Sequence, residues 1–394
     1  MIAIDPTPPF YAGDELQAIR LAKVQAALGE RGLDALLLLK HDAVRFVTGF
    51  YAKGYRPFVE FEYAALVPAA GDPLLATALA GEEERARLRS RAGAVRPLPK
   101  LRAWGEALAG ILAEHDVARG RVGFDLMPHF VHQDLRAAFP DLDLVDSADL
   151  WTGITAVKHP LEVALLREAL AIAEEGLQAA LDTVRPGVTE VEVSAVAEHA
   201  MRRRGSEMNP FIPVVASGPN AAIWERVATG RVIGPGEMVI LDFGCVHKGY
   251  TGDVARTTIV GEPSPAQRRL YRAAHLALQE AIKVVRPGVP CGAIDALVRE
   301  VLAGEGLAPY AAPWAVGHQL GYGLHGAPLL GPGVENLLAA GMVVNIEPAL
   351  STPDDPTVGG VELEDTVLVT ENGCETLTSS PYDARLLRAR SGPG

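Results

Sequence analysis

The sequence predicts two domains, an α/β domain over residues 1–155 and an α+β domain over 156–394 whose halves repeat one another. Three observations carry this. A chain of 394 residues has the length of about two ordinary domains. The first part alternates strand-like apolar runs with helical periodicity, and from Lys158 onward the pattern changes to a long amphipathic helix. Finally, Val184-Arg-Pro-Gly-Val188 returns as Val285-Arg-Pro-Gly-Val289, each time between two long helices.

In chain order, helical spacing runs from about Glu15 to Arg31, and Ala35 to Leu39 reads as a buried strand. Tyr63 to Val67 and Leu74 to Ala78 read as further strands, Ala103 to His115 and Val131 to Phe139 as helices, and Leu142 to Val145 as a last strand. The boundary falls near residue 155, before Lys158-His-Pro-Leu-Glu162 opens the next helix. Helices over 162–183 and 265–284 precede the two Val-Arg-Pro-Gly-Val turns. Gly236-Glu-Met-Val-Ile-Leu-Asp242 is echoed by Gly341-Met-Val-Val-Asn-Ile-Glu347, each an apolar strand ending in a carboxylate.

Composition narrows the function. With 36 Lys and Arg against 49 Asp and Glu, the net charge of −13 repels phosphate backbones and anionic membranes, and small, zwitterionic substrates fit better. Cys245, Cys291 and Cys374 form no CxxC pair, which points to a reducing cytoplasm rather than a disulfide framework or thiolate zinc site. The N-terminus has no basic segment followed by an apolar one, so a cytosolic chain is expected. Leu307 to Val334 holds no Asp, Glu, Lys or Arg, but its prolines and glycines would break a spanning helix. It reads as a buried loop lining a site, and it carries His318 and His325.

An acid at the end of a buried strand is costly unless a cation neutralises it. Asp242 and Glu347 both have this problem, and each is followed by another acid, Asp253 in Tyr250–Ile259 and Glu364 in Gly360–Val369, segments that alternate as strands do. Gathered at one point, these four carboxylates would require bound metal, with His318 adding a nitrogen ligand.

The motifs resemble the pita-bread metallopeptidases, the family of methionine aminopeptidase, aminopeptidase P, prolidase and creatinase. They are Asp242-Phe-Gly-x6-Thr-Gly-Asp253-x-x-Arg256-Thr, Gly317-His318-x-x-Gly321-x-x-x-His325, Asn345-Ile-Glu347-Pro and Val361-x-Leu-Glu364-Asp-Thr-Val-Leu-Val, in the family's order. The first domain is similar to the creatinase/prolidase N-terminal domain, which methionine aminopeptidase lacks. The resemblance thus implies a creatinase-like α/β domain followed by a pita-bread catalytic domain with a pseudo-twofold repeat. It further implies two metal ions about 3.5 Å apart around a bridging water. Asp242 would hold one ion, His318 with Glu347 the other, and Asp253 and Glu364 would bridge them. Oxygen-rich ligation with one imidazole suits Mn²⁺, Co²⁺ or Zn²⁺. Glu347 would take the water's proton and pass it to the leaving nitrogen, and His325 would donate to the developing oxyanion.

Three positions depart from the proline-peptidase pattern. Glu225 stands where the family has a substrate-contacting histidine, Trp314 stands four residues before His318 where aminopeptidases P carry histidine, and Glu362 replaces the arginine two residues before Glu364. Acids at 225 and 362 favour a cationic or amine-bearing ligand, or else pair with arginines such as Arg226 and Arg256. In the first domain, Arg45-Phe-Val-Thr-Gly-Phe50 resembles the family's Arg-Tyr-Leu-Thr-Gly-Phe turn, and Arg45 is either a clamp for a substrate carboxylate, selecting dipeptides, or a surface arginine. The aromatic-rich Tyr51–Tyr63 stretch suggests a homodimer contact, a lid or a core hairpin. Cys245 is either oxidation-sensitive or a small buried hydrophobe.

The leading expectation is hydrolysis of the Xaa-Pro bond in dipeptides by a cytosolic, homodimeric enzyme. Alternatives are an aminopeptidase P acting on longer peptides, an amidohydrolase of a small metabolite, and a catalytically silent binding module; the retained ligand set argues against the last.

Overall fold

In the computed structural model, which describes residues 11–51, 62–79, 81–224 and 226–388, the chain divides into compact units Met1–Thr155 and Ala156–Gly394. Helix α1 (Asp14–Arg31) ends where Gly32 takes a left-handed φ of 61°. It leads into β1 (Ala35–Leu38), which is apolar and buried throughout, as a central strand must be. After α2 (His41–Thr48) come β2 (Tyr63–Pro68), β3 (Leu74–Thr77), α3 (Glu82–Arg89) and β4 (Ala94–Pro97). Then follow α4 (Trp104–Glu114), β5 (Arg121–Phe124), α5 (His129–Ala138), β6 (Asp143–Asp146) and α6 (Ala148–Ala156). The strands form one six-stranded sheet in the order β4-β3-β2-β1-β5-β6. It is mixed, with β2 antiparallel to both neighbours and the remaining pairs parallel. Trp104, Leu108 and Leu112 of α4 pack on the sheet's apolar core.

Two differences from the sequence reading lie here. The stretch around Arg45 is not a turn but the body of α2, which stops at Gly49, where φ is 69°. Of the aromatic-rich stretch, residues 52–61 lie outside the described residues, and Tyr63 opens the buried strand β2.

In the second unit, α7 (Pro160–Thr183) starts with Pro160 at its first turn and a capping box between His159 and Glu162. It is followed by α8 (Glu190–Arg203), β7 (Val214–Ser217), β8 (Met238–His247) and β9 (Tyr250–Ile259), and the three strands form an antiparallel sheet. The second half repeats this plan with α9 (Pro265–Val284) and α10 (Cys291–Gly304). Next come β10 (Gln319–Gly321), β11 (Gly323–Gly326), β12 (Val343–Ile346), β13 (Ala349–Ser351), β14 (Gly360–Glu362), β15 (Asp365–Val369), β16 (Cys374–Thr376) and the short α11 (Ala384–Leu387). These strands make a five-stranded sheet, β11-β10-β12-β15-β16, and the pair β13-β14.

The repeat extends to individual hydrogen bonds. Gly187 and Gly288 both take left-handed φ, 90° and 83°, which the shared turn requires of a glycine. The Gly187 N–H donates to Ile233 O (3.0 Å) and Ile233 N–H to Val188 O (2.8 Å). In the second half Gly288 N–H donates to Leu338 O (2.8 Å) and Leu338 N–H to Val289 O (2.9 Å).

Two strand readings need correction. Asp242 is not at the end of its strand but in the middle of β8. The chain runs on because Phe243 and Cys245 keep its other face apolar and fully buried, and the turn comes only at Lys248 and Gly249, both at positive φ. The segment Gly360–Val369 is not one strand either. It changes sheets at Leu363-Glu364, between β14, which pairs with β13, and β15, which pairs with β12. The uncharged Leu307–Val334 stretch holds β10 and β11 rather than loop alone, with His318 immediately before β10.

Candidate metal centre

Each half supplies acids from paired strands. Asp242 on β8 and Asp253 on β9 come from one hairpin, in which Asp242 lies opposite Ala255 and Gly244 opposite Asp253. Glu347 follows β12, its N–H held by Val316 O at 2.8 Å, and Glu364 occupies the break between β14 and β15, its N–H reaching back to Ala255 O of β9 at 3.1 Å. His318 is fixed by its backbone, whose carbonyl accepts from Asn345 N–H at 2.8 Å. A side chain on Gly317 would meet Asn345 O at 2.1 Å, so only glycine lets the His318 strand come this close.

The side chains converge. One potential ligand atom from each of Asp253, His318 and Glu364 lies within 4.8 Å of the others, and all three residues are buried. His318 directs Nδ1 at Gln319 O (3.2 Å), which leaves Nε2 facing Asp253 Oδ2 at 3.8 Å and Glu347 Oε1 at 3.7 Å. Those separations are longer than hydrogen bonds, and a cation with ligand distances of about 2.0–2.2 Å fits between such atoms. Asp242 Oδ1 and Asp253 Oδ1 are buried with no hydrogen-bond partner. Buried carboxylate oxygens are almost always satisfied, so these orphaned atoms, with their all-oxygen and single-imidazole neighbours, fit divalent metal.

The electrostatics agree. Burial first, then repulsion from neighbouring carboxylates including Glu362, pushes Asp242, Asp253, Glu347 and Glu364 well above the usual carboxylate range. Burial and the neighbouring His325 push His318 down to about 4, which keeps its imidazole neutral and able to ligate. His325, on β11, packs its ring edge-on to that of His318, centroids 4.6 Å apart, and burial lowers its pKa too.

Three residues support the candidate ligands, and of these the sequence reading had already named Arg226 and Arg256 as partners for the acids at 225 and 362. Asn345 donates its amide Nδ2 to Glu364 and accepts at Oδ1 from Thr366 Oγ1 (2.8 Å), so the Glu364 carboxylate is oriented by a chain of neutral groups. Arg226 forms a buried ion pair with Glu362 at 2.6 Å, and it also donates to Ser351 Oγ (2.7 Å) and Leu350 O (3.2 Å). Arg226 takes up Glu362 as one of the two alternatives had it, whereas Asn345 lies inside a quoted motif but its partners Glu364 and Thr366 lie 19 and 21 positions on, where local spacing gives no signal. Arg256 pairs with Asp365 at 2.8 Å and not with a candidate ligand.

Of the departing positions, Glu362 is thus held by Arg226, whose guanidinium carbon also lies 4.8 Å from the Trp224 ring centroid. Trp314 is 45% exposed and packs edge-on against Trp224 at 4.8 Å. Glu225 lies outside the described residues. Arg45, in the first unit, places its guanidinium carbon 4.9 Å from the Tyr51 ring centroid. Cys245 is fully buried, donates to Ala169 O at 3.1 Å, and has its thiol pushed up to about 12 by burial, which makes it a packed hydrophobe rather than a reactive thiol.

A carboxylate-lined metal centre set between two repeated halves defines the class, a metal-dependent hydrolase of pita-bread fold. The chain belongs to metallopeptidase family M24, whose model matches residues 164–371, and residues 20–154 match the creatinase/prolidase N-terminal domain. It is 28% identical to an Xaa-Pro dipeptidase of Pyrococcus horikoshii over 92% of this chain and 97% of that one. It is 30% identical to the Bacillus subtilis peptidase YqhT over 94% of this chain and 100% of the relative. The solved Xaa-Pro dipeptidase from Bacillus anthracis superposes with a TM-score of 0.81 at 28% identity, covering 93% of this chain and 99% of that one. The protein is therefore a metallopeptidase of the prolidase and aminopeptidase P branch. Among the described residues no helix is long and apolar enough to cross a membrane.

Proposed function

We propose that the protein hydrolyses the Xaa-Pro bond of dipeptides at a dinuclear centre held by Asp242, Asp253, His318, Glu347 and Glu364. The observation that carries this reading is the convergence of Asp253, His318 and Glu364 ligand atoms beside orphaned aspartate oxygens. Two divalent cations, taken as Mn²⁺ with Co²⁺ and Zn²⁺ as alternatives, would activate a water and polarise the scissile carbonyl. Glu347 would accept the water's proton, a reading supported by its Oε1 lying 3.7 Å from His318 Nε2 in the ligand cluster. It then returns that proton to the leaving proline nitrogen. His325, its pKa lowered, is neutral at pH 7 and keeps one N–H to donate to the carbonyl oxygen as negative charge develops there. Asn345 and Thr366 hold Glu364 in orientation throughout.

Arg45, Glu225, Trp314 and Glu362 are assigned to substrate binding. The exposed face of Trp314 suits an apolar part of the peptide, and Arg45 suits its carboxylate. The assigned setting is a cytosolic homodimer with no nucleic-acid or membrane partner, in keeping with the charge of −13.

The test is release of the free N-terminal residue Xaa from Xaa-Pro dipeptides and Xaa-Pro-Yaa tripeptides, with free proline or Pro-Yaa as the other product, by metal-stripped protein reloaded separately with Mn²⁺, Co²⁺ and Zn²⁺. Metal-dependent cleavage of dipeptides alone supports the reading, and cleavage of tripeptides replaces it with an aminopeptidase P. No release with any metal overturns both and moves the search to small amides.

A further inference from the structure

Glu190 is fully buried, and the hydrolytic chemistry makes no use of it. Its Oε1 accepts from Ser217 N–H (2.8 Å), Ser217 Oγ (2.7 Å) and Asn220 Nδ2 (3.1 Å). Its Oε2 accepts from Asn220 Nδ2 (3.0 Å), Thr229 N–H (3.1 Å) and Thr229 Oγ1 (2.6 Å). One carboxylate thus pins both ends and an interior point of the segment 217–229. Arg231 reaches the group through Ser217 Oγ at 2.7 Å, while pairing with Glu237.

The pinned segment carries Trp224 and Arg226 to the neighbourhood of the metal ligands. Its middle lies against β14 so closely that a side chain on Gly360 would meet Ala221 O at 2.0 Å. Arg226 then bonds Glu362, Leu350 and Ser351, and Trp224 meets Trp314. We infer that Glu190 is a positioning residue: by holding both ends of 217–229 it fixes Arg226 and Trp224 as a wall of the substrate pocket, and so sets substrate affinity without taking part in bond cleavage. The inference rests on the proposed peptidase reading for its kinetic consequence.

Glu190→Gln replaces one acceptor oxygen with a donor, and every partner here is a donor. Ser217 is fully buried whereas Thr229 is exposed to water, so the new amide turns its oxygen to Ser217 and releases Thr229, three residues beyond Arg226. Thr229→Val removes one of the same bonds from the other side, Thr229→Ser keeps it, and the exposure of Thr229 lets both variants fold.

The experiment measures KM and kcat on an Xaa-Pro dipeptide, bound Mn²⁺, and acrylamide quenching of tryptophan fluorescence in wild type and these three variants. Trp104 and Trp151 are buried, so quenching reports Trp224 and Trp314. Glu190→Gln and Thr229→Val should raise KM about tenfold, keep kcat within about threefold, retain Mn²⁺ and increase quenching, with Thr229→Ser matching wild type. A lowered Tm with unchanged KM and quenching would overturn the inference, because a merely structural carboxylate has only that effect. If Glu190→Gln does not fold, the Thr229 pair decides in the same way. If wild type releases no proline, the peptidase reading falls, and quenching alone decides the inference: an increase in Thr229→Val supports it and no change overturns it.

Discussion

Arg226→Ala should cost more folding free energy than Glu362→Ala, although both break the same 2.6 Å ion pair. The two side chains are 6% and 11% exposed, so neither can turn to water. At that distance and an effective dielectric of 20 their attraction is about 6 kcal/mol before dehydration is subtracted. Removing one partner of such a buried pair costs about 3–5 kcal/mol. The surroundings break the symmetry. Without Glu362, Arg226 keeps Ser351 Oγ and the Leu350 and Ile223 carbonyls, and it still acts on Asp242. Without Arg226, Glu362 is left raising the proton affinity of Asp242, Asp253, Glu347 and Glu364 with its nearest counter-charge gone. We expect about 4 kcal/mol for Arg226→Ala and about 2 kcal/mol for Glu362→Ala, the lower figure reflecting the remaining partners. The double variant should be more stable than Arg226→Ala alone. The assay is urea unfolding of metal-stripped protein, repeated with saturating Mn²⁺, which should narrow the gap by supplying positive charge. Equal costs without metal, or a larger cost for Glu362→Ala, would refute the reasoning.

Glu347→Gln, assayed at saturating metal because it also removes a charged ligand, should lose about 10²–10⁴-fold in turnover, because an amide accepts no proton from water, while circular dichroism stays near wild type; a largely retained rate with metal bound would remove Glu347 as the base. Metal-stripped protein should lose stability as pH rises. The buried carboxylates have folded pKa values raised above the unfolded value of about 4, so their contribution is complete below that value and is lost as pH climbs through the folded ones. His318, lowered to about 4, opposes this only below its unfolded pKa of about 6.5, and one imidazole is outnumbered by these acids. Tm measured from pH 5 to 8 should therefore fall in metal-free protein and fall less with Mn²⁺, which replaces the protons; a flat metal-free profile would contradict the buried cluster. Arg45→Ala should reduce turnover of dipeptides more than of tripeptides, and equal reduction would mean that Arg45 does not read the carboxylate.

What the sequence made legible was set by local chemistry. Helices α7 and α9 were readable to within two residues because proline and capping boxes mark their starts. Tyr250–Ile259 was readable because it is rich in Tyr, Val, Thr and Ile, and the repeated Val-Arg-Pro-Gly-Val turns because each needs glycine at positive φ. Features decided by distant partners were hidden. Strand β4, at the sheet edge with Arg96 and Pro97, shows no apolar run. The break at Glu364 depends on β14 and β15 choosing different neighbours, which alternation does not reveal. The motifs brought the candidate ligands to notice and charge complementarity offered the Arg226 pair with Glu362 as an alternative, but the Asn345 bond to Glu364 joins separate elements. Glu190, in the first turn of α8, has no signal in the sequence, since Ser217 and Thr229 are assembled around it only by tertiary folding.

The candidate ligands of the proposed metal centre are dispersed from Asp242 to Glu364, and each half of the repeat supplies only some of them. Hydrolytic power therefore belongs to neither half by itself. A ribosome-bound chain shorter than 364 residues has its first carboxylates in place but lacks the last ligand, and closing so long a separation comes late in folding. A copy that ends before residue 364 therefore carries buried acids that repel one another without the full set of candidate ligands to share a cation among them.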